Sequence, residues 1–366
     1  MSAEEGWENE VRKVRPYIAG EQPKDPSMIK LNTNECPYPP SPKVQEALEN
    51  LAKDYGKLRL YPDMNVSMLV KALSQCYGVK EDQIFVGVGS DDVLALSFLT
   101  FFTSGARILF PDITYSFYDV WADLYRIPYT KVPLDEEFQI RPEDYLPGSP
   151  YFVQGEGRVG GIIFPNPNAP TGRVLSLSDV KKIVEANQDK VVIIDEAYID
   201  FGAETALPLL QEYDNLLVVQ TFSKSRAMAG MRIGFAMGNT KLIQALKDVK
   251  FSFNSYTLNL PSIVAGTAAV QDDGYFRLIT GRVVETREEF KKTIRKLGFV
   301  GPDSMTNFVF VRYPGKSGEE LFQALKERKI LVRHWNKPRI EDYLRITIGK
   351  DEQMTAVEHV LEELVC

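Results

Sequence analysis

Thr221-Phe-Ser-Lys-Ser-Arg-Ala-Met-Ala-Gly-Met-Arg-Ile-Gly234 follows directly on Leu216–Gln220, an apolar run that reads as a strand buried on both faces. Ser223 and Lys224 stand where that strand ends, small residues follow, and Arg232 comes eight positions after the lysine. A lysine desolvated in a cleft loses its proton more readily and can attack a carbonyl to form a Schiff base. A serine hydroxyl and a guanidinium beside it can hold a phosphate. The chain carries 43 lysines and arginines, most of which must be solvated surface charges, so Lys224 takes its meaning from its surroundings.

Working outward, further apolar runs suit buried parallel strands: Arg107–Phe110, Gly161–Phe164, Val191–Ile194 and Arg232–Met237. Asp82–Gly89 reads as a short strand running into the helical Asp91–Phe102, and Leu177–Asn187 is a second helical pattern between strands. This alternation predicts an α/β fold, a large domain over residues 41–260 with a mostly parallel central sheet flanked by helices. Beyond residue 260 the texture changes to a long helix, Gln271–Leu297, then Phe308–Tyr313, Gly318–Lys329 and Leu344–Ile348, which predicts a smaller α+β domain over 261–366. Residues 1–40, rich in proline, read as an irregular arm that contributes to the small domain and to dimer contacts.

Bulk properties remove several function classes. A chain of 366 residues with a net charge of −7 disfavours a general polyanion binder, although a local basic pocket for small anions is compatible with an acidic protein. Three cysteines (Cys36, Cys76, Cys366), none in a Cys-x-x-Cys pair, and two histidines argue against a disulfide framework or a zinc site. No apolar stretch is long enough for a membrane helix, and the acidic N-terminus lacks the layout of a secretory signal, so a cytoplasmic location is expected.

Three more segments carry candidate chemistry. In Val191-Val-Ile-Ile-Asp-Glu-Ala-Tyr-Ile-Asp200, Asp195 sits at the carboxyl end of an apolar strand, where open α/β sheets bind ligands. The metal-holding acid of a P-loop ATPase would sit similarly, but the sole Gly-Lys-Ser, at Gly315–Ser317, has Phe310 where the first glycine is needed. Val86-Gly-Val-Gly-Ser-Asp-Asp92 joins a strand to a helix whose free amides can bind a phosphate; a dinucleotide fingerprint fails because Asp92 stands in place of the third glycine. Phe164-Pro-Asn-Pro-Asn-Ala-Pro-Thr-Gly172 is a stiff turn after another strand, with X-Pro bonds that can be cis.

In order and spacing these segments resemble the fold type I, pyridoxal 5′-phosphate (PLP)-dependent aminotransferases, over nearly the whole chain. Val-Arg-Pro-Tyr17, Leu-Asn-Thr-Asn34-Glu35, Tyr61-Pro, Asn307-Phe, Ile-Leu-Val-Arg333 and Tyr-Leu-Arg345-Ile-Thr-Ile-Gly are similar to the histidinol-phosphate aminotransferase family in particular. The resemblance implies that Lys224 links to the cofactor and moves the proton at the substrate carbon, that Asp195 pairs with the pyridine nitrogen, and that Tyr198 bonds the ring hydroxyl. It further implies Tyr115 against the ring face, and a phosphate held by Gly89, Ser90, Asp91, Ser223 and Arg232 together with Tyr61 of the partner subunit. Substrate contacts fall to Arg333 and Arg345, with Tyr17, Asn34 and Asn307 nearby. One departure stands out: the family carries asparagine just before the proline of Pro-Thr-Gly, and here that residue is Ala169, so either Asn168 takes over as the cofactor contact through a shifted turn or Tyr198 acts with less help.

The implied reaction moves an amino group between L-histidinol phosphate and 2-oxoglutarate, giving imidazole acetol phosphate and L-glutamate, in a homodimer of histidine biosynthesis. Glutamate and histidinol phosphate share no carboxylate, but both are anionic, and planar guanidinium groups suit both. An aromatic aminotransferase and a phosphothreonine decarboxylase stay open as alternatives, since Lys224 and Asp195 would serve either. A PLP-binding regulator coupled to a DNA-binding module fits neither the charge nor the layout. His334 reads as a wall or surface residue, and the aromatic-rich run from Tyr115 to Tyr129 as core and interface packing.

Overall fold

The computed structural model describes residues 6–153 and 157–365. Its centre is a seven-stranded sheet in the order β2-β8-β7-β6-β5-β3-β4. The strands are β2 (Ile84–Gly87), β3 (Arg107–Pro111), β4 (Tyr129–Val132), β5 (Val159–Pro165), β6 (Val191–Asp195), β7 (Leu216–Thr221) and β8 (Gly234–Gly238). A further pair, β1 (Ile29–Lys30) with β10 (Ile330–Leu331), is parallel, and β9 (Phe308–Val311), β12 (Leu344–Thr347) and β11 (Arg333–His334) form an antiparallel three-stranded sheet.

The apolar runs become strands because both sheet faces are covered. Ile162, Phe164, Val192, Ile194, Leu216 and Val218 feed one core, and Ile163, Ile193, Leu217 and Val219 feed another on the opposite face. The run Arg232–Met237 departs from expectation: β8 is antiparallel to both its neighbours, β7 and β2. It returns after a loop with no crossover helix, which a parallel neighbour would need. The loop that makes this return carries Lys224 and Arg232.

The helices are α1 (Pro42–Lys53), α2 (Ser67–Tyr77), α3 (Gly89–Phe101), α4 (Phe117–Tyr125), α5 (Pro150–Val153), α6 (Leu177–Ala186), α7 (Thr240–Phe253), α8 (Leu260–Val270), α9 (Asp273–Lys296), α10 (Gly318–Glu327) and α11 (Asp351–Val365). Their starts follow local chemistry. Ser41 caps α1 with Pro42 behind it, and Ser176, Asn239, Asn259 and Ser317 each accept a backbone N–H at the start of α6, α7, α8 and α10. α8 packs on α1 and α2, beside the seven-stranded sheet, whereas α9 and α11 pack together over the three-stranded sheet.

The N-terminal segment packs on two separate parts of the fold. Tyr17 stacks on Phe117 with ring centres 4.1 Å apart, and β1 extends the chain onto β10. The first five residues of the arm and Cys366 lie outside the described residues; Cys36 and Cys76 are free thiols. Among the described residues no helix is long and apolar enough to cross a membrane, and no group of three or more His, Cys, Asp or Glu side chains is placed to hold a metal.

Candidate active site

The carboxyl ends of β5, β6 and β7 and the start of α3 converge on one cavity of about 180 Å³. Its wall includes Thr33, Glu35, Ser90, Asp91, Tyr115, Ala169, Asp195, Tyr198, Ser223, Lys224 and Arg232. Residues separated by up to about 200 positions therefore share one small volume because parallel strands point their carboxyl ends the same way.

One end of the cavity is built for an anion. Gly89 opens α3 with φ +84, and a Cβ there would lie 2.4 Å from an Arg232 guanidinium nitrogen. A Cβ on Gly234 would lie 2.2 Å from the Ser90 amide nitrogen, so both glycines are required for this approach of β8 to the helix start. Arg232 donates to Ser223 Oγ at 3.3 Å and to Ala229 O at 3.1 Å, and pairs with Asp91 at 3.3 Å. Free amides at a helix start, a serine hydroxyl and a guanidinium make a phosphate-type donor set.

At the other end Asp195, the last residue of β6, is buried. Its carboxylate accepts from the Tyr118 hydroxyl at 2.9 Å and from the Ala197 amide at 3.2 Å. Burial outweighs these bonds and pushes its carboxyl up to about 6. A cationic partner would restore the charged form, which suits a protonated ring nitrogen. Tyr118 lies in the aromatic run that reads as packing. Its ring does fill the core, and its hydroxyl holds the acid. The three-residue spacing from Tyr115, across the start of α4, is the signal that could have marked it.

Between the two ends sits Lys224, whose Nζ donates to Thr33 O at 3.2 Å. Burial and then the Arg345 guanidinium lower its amine to about 8, against opposing pulls from Asp91 and Glu35. Tyr115 closes another wall with its hydroxyl on Asp91 at 2.8 Å, and Tyr198 faces Lys224, its ring centre 5.9 Å from Nζ. An acid, an amine and an anion cradle along one cavity, with an aromatic wall, fit PLP.

The expected shift of the 166–172 turn does not occur. The Asn168 amide donates to Ile113 O at 3.0 Å and Thr171 Oγ1 at 2.9 Å and accepts from Thr114, so it is spent within the loop and does not reach the cavity wall. The Asn166-Pro167 and Ala169-Pro170 bonds are both cis, and Ala169 presents only its methyl group to the cavity.

A larger, more open pocket of about 400 Å³ adjoins this cavity, sharing Tyr115 and Ala169 and lined also by Tyr17, Arg333, Trp335, Arg339 and Arg345. Arg333 and Arg345 are directly opposed in the β11–β12 register, a like-charge pair that costs stability unless an anion is bound between them. Arg345 lies over Phe308 and Trp335, donates one Nη to Asn32 O at 2.9 Å, and leaves its Nε without a partner among the described residues. Trp335, next to two charged-residue candidates, shares its ring with Arg333 as well and was not singled out by sequence.

Three sequence candidates fall elsewhere. Asn34 and Asn307 are fully buried and line neither pocket: Asn34 donates to the Tyr198 hydroxyl and Asn307 donates to Asn34 O. Neither reaches a cavity wall directly in this structure. Tyr61 is 82% exposed and stacks on Tyr256, away from both pockets of its own chain. His334 is held by Glu319, Glu341 O and the face of Phe322, outside the site.

The model of the family described as aminotransferase class I and II matches residues 26–361. The chain is 50% identical over 357 residues to the histidinol-phosphate aminotransferase of Lactococcus lactis subsp. cremoris, covering 98% of this chain and 97% of that protein. It is 49% identical to the protein of the same name from Aromatoleum aromaticum, covering 98% and 99%. Among solved structures, histidinol-phosphate aminotransferase from Sinorhizobium meliloti in complex with pyridoxal-5′-phosphate has the same fold, with a TM-score of 0.83 at 22% identity, covering 92% and 90%.

Proposed function

The chain belongs to the class I and II aminotransferases and, within them, to the histidinol-phosphate aminotransferase family, and from that premise we propose the roles of its residues in PLP-dependent amino transfer between L-histidinol phosphate and 2-oxoglutarate. The products are imidazole acetol phosphate and L-glutamate, and the reaction is a step of histidine biosynthesis. The observation that carries the assignment is Lys224, its amine lowered to about 8, between a buried acid and an anion cradle, beside a pocket with two arginines that pair with no carboxylate among the described residues, in a chain 50% identical to a member of that family.

When bound, PLP supplies an aldehyde carbon and an electron-withdrawing ring that together take up and return an amino group. Gly89, Ser90, the Asp91 backbone, Ser223 and Arg232 would hold its phosphate, Asp195 its ring nitrogen, Tyr198 its ring hydroxyl, and Tyr115 one face. Lys224 would form the covalent attachment, and its amine, lowered to about 8, would take and return the proton at the substrate carbon. Arg333 and Arg345 receive the anionic end of either substrate, a phosphate in one case and a carboxylate in the other, with Tyr17 and Trp335 excluding water beside them.

The protein is proposed to act as a cytoplasmic homodimer. Tyr55, Leu58, Leu60, Tyr61, Phe253 and Tyr256 are exposed apolar side chains, Tyr61 stacked on Tyr256, and suit contact with a second copy, from which Tyr61 of the partner subunit would reach the cofactor phosphate. The division into an arm of residues 1–40, a cofactor-binding body of 41–260 and a small body of 261–366 is part of this reading, with α8 packed on the larger body.

The assignment is tested by visible spectroscopy of the protein with PLP. Histidinol phosphate alone should convert the band of the lysine-linked cofactor to the shorter-wavelength band of its aminated form, and 2-oxoglutarate should restore it. A band that histidinol phosphate leaves unchanged would reject the substrate, and no band at all would reject the cofactor chemistry.

A further inference from the structure

Asn34 has an unusual backbone and a fully committed side chain. Its φ of +57 is in the left-handed region, and it is 1% exposed. Its backbone N–H donates to Thr347 Oγ1 at 3.1 Å, and the same hydroxyl, its lone pair so engaged, donates its own hydrogen to Asn34 Oδ1 at 3.1 Å. With Oδ1 so engaged, Nδ2 faces Tyr198 Oη, 2.8 Å away. Asn307 Nδ2 locks the Asn34 carbonyl from behind at 2.9 Å.

An amide nitrogen can only donate, so Asn34 occupies a lone pair of the Tyr198 oxygen and leaves the phenol hydrogen uncommitted. Tyr198 lines the cavity with Asp195 and Lys224, whereas Asn34 does not. Ala169 offers no donor beside it, and the Asn168 amide is turned away. A free hydroxyl rotor would sample several directions; one whose oxygen is held from behind by a donor points its hydrogen forward.

We infer that Asn34 is a positioning residue, which through its bond to the Tyr198 oxygen aims the phenol hydrogen into the cavity and makes Tyr198 the fixed donor to the ring oxygen of the bound cofactor. The inference rests on the functional reading above and adds a residue that touches neither cofactor nor substrate. The arrangement also joins the two bodies: Asn34 is held by Thr347 and Asn307 of the smaller one and acts on Tyr198 beyond β6.

The readout is the pH midpoint of the visible band of the lysine-linked cofactor, which reports how strongly the neighbouring ring oxygen attracts the linkage proton. Weakening the donor leaves that oxygen more basic, so Asn34→Ala should raise the midpoint by about 0.5–1 pH unit, the size of one neutral hydrogen bond. Tyr198→Phe should raise it at least as far, and the double variant no further than Tyr198→Phe alone, because the effect of Asn34 passes through the phenol. Thr347→Val, which frees the amide to turn without removing it, should shift the midpoint the same way by less and serves if Asn34→Ala does not fold. An unchanged midpoint in Asn34→Ala or, if that variant does not fold, in Thr347→Val would overturn the inference, as would Asn34→Ala and Tyr198→Phe shifts that add. A wild-type protein with no visible band would instead overturn the functional reading, and this inference with it.

Discussion

Replacing Arg345 by methionine separates the anchoring of substrate from the holding of cofactor. The side chain is half-buried at the wall of the open pocket, held by one bond to Asn32 O, flanked by Phe308 and Trp335, and paired with no carboxylate among the described residues. Its Nε has no partner, and Arg333 opposes it across the strand pair. Each hydrogen bond from such a group to an anion is worth about 1.5–3 kcal/mol, a factor of about 10–150 in kcat/KM. The variant should therefore lose about that factor, through KM, for both histidinol phosphate and 2-oxoglutarate. The cofactor's visible band should persist. The thermal midpoint of the cofactor-free protein should stay level or rise, because a cation facing another cation has been exchanged for an apolar chain of similar length. Steady-state kinetics with each substrate, a spectrum and a melting curve decide the matter. Loss of the band, or a KM change confined to one substrate, would refute the reasoning, since either would mean that Arg345 holds the cofactor or serves only one anion.

Lys224→Met should change how the cofactor-free protein's stability depends on pH. The lysine's value in the folded state lies below its ordinary one, about 8 against 10.5, so its protonation disfavours the fold below about 8, and this penalty disappears as pH rises to 10.5. Urea midpoints should thus favour the variant most at pH 7 and converge with wild type near pH 10.5; a difference that is flat in pH would contradict the burial argument. Tyr61→Ala, at an exposed position, should leave the monomer fold intact but weaken cofactor retention at least several-fold, with sedimentation showing a dimer for wild type. Unaltered cofactor affinity would remove Tyr61 from the site.

The parts of the fold legible in sequence were those set by burial on both sheet faces. Val191–Ile194 and Leu216–Gln220 read as strands because a parallel strand covered by helices shows no polar alternation. The direction of β8 was not legible, since an antiparallel strand in the middle of a covered sheet is just as apolar; only the lack of a helical pattern between Thr221 and Gly234 hinted at it. The two-residue strands β1, β10 and β11 depend on partners brought together from opposite ends of the chain, which no local pattern encodes. In the site, Lys224, Asp195, Ser90 and Ser223 were readable because each stands where a strand ends, the place at which an α/β sheet presents its ligand groups. The bonds that Asn34, Asn168 and Tyr118 make were not legible for one reason. A side chain's residue type says what bond it can make, and only packing decides which partner takes it: Tyr198, Ile113 with Thr171, and Asp195 in these three cases.

Arg345 ties these elements into one electrostatic unit. It is the largest charged contributor to the lowered amine of Lys224, and it also acts on Tyr198, opposing the rise that burial imposes on the phenol. In the absence of an anion, this positive charge adds to burial in holding the amine below its ordinary value, which raises the neutral fraction able to attack a carbonyl. An anion paired with the guanidinium cancels much of that field, because two opposite charges in contact look nearly neutral from the distance of the lysine. With substrate so held, the amine would become more basic when a proton has to be drawn from the substrate carbon. A phosphate and a carboxylate would both produce the change, since it depends on charge and not on shape. A pocket that admits two chemically different substrates would thereby receive from each the same preparation of Lys224.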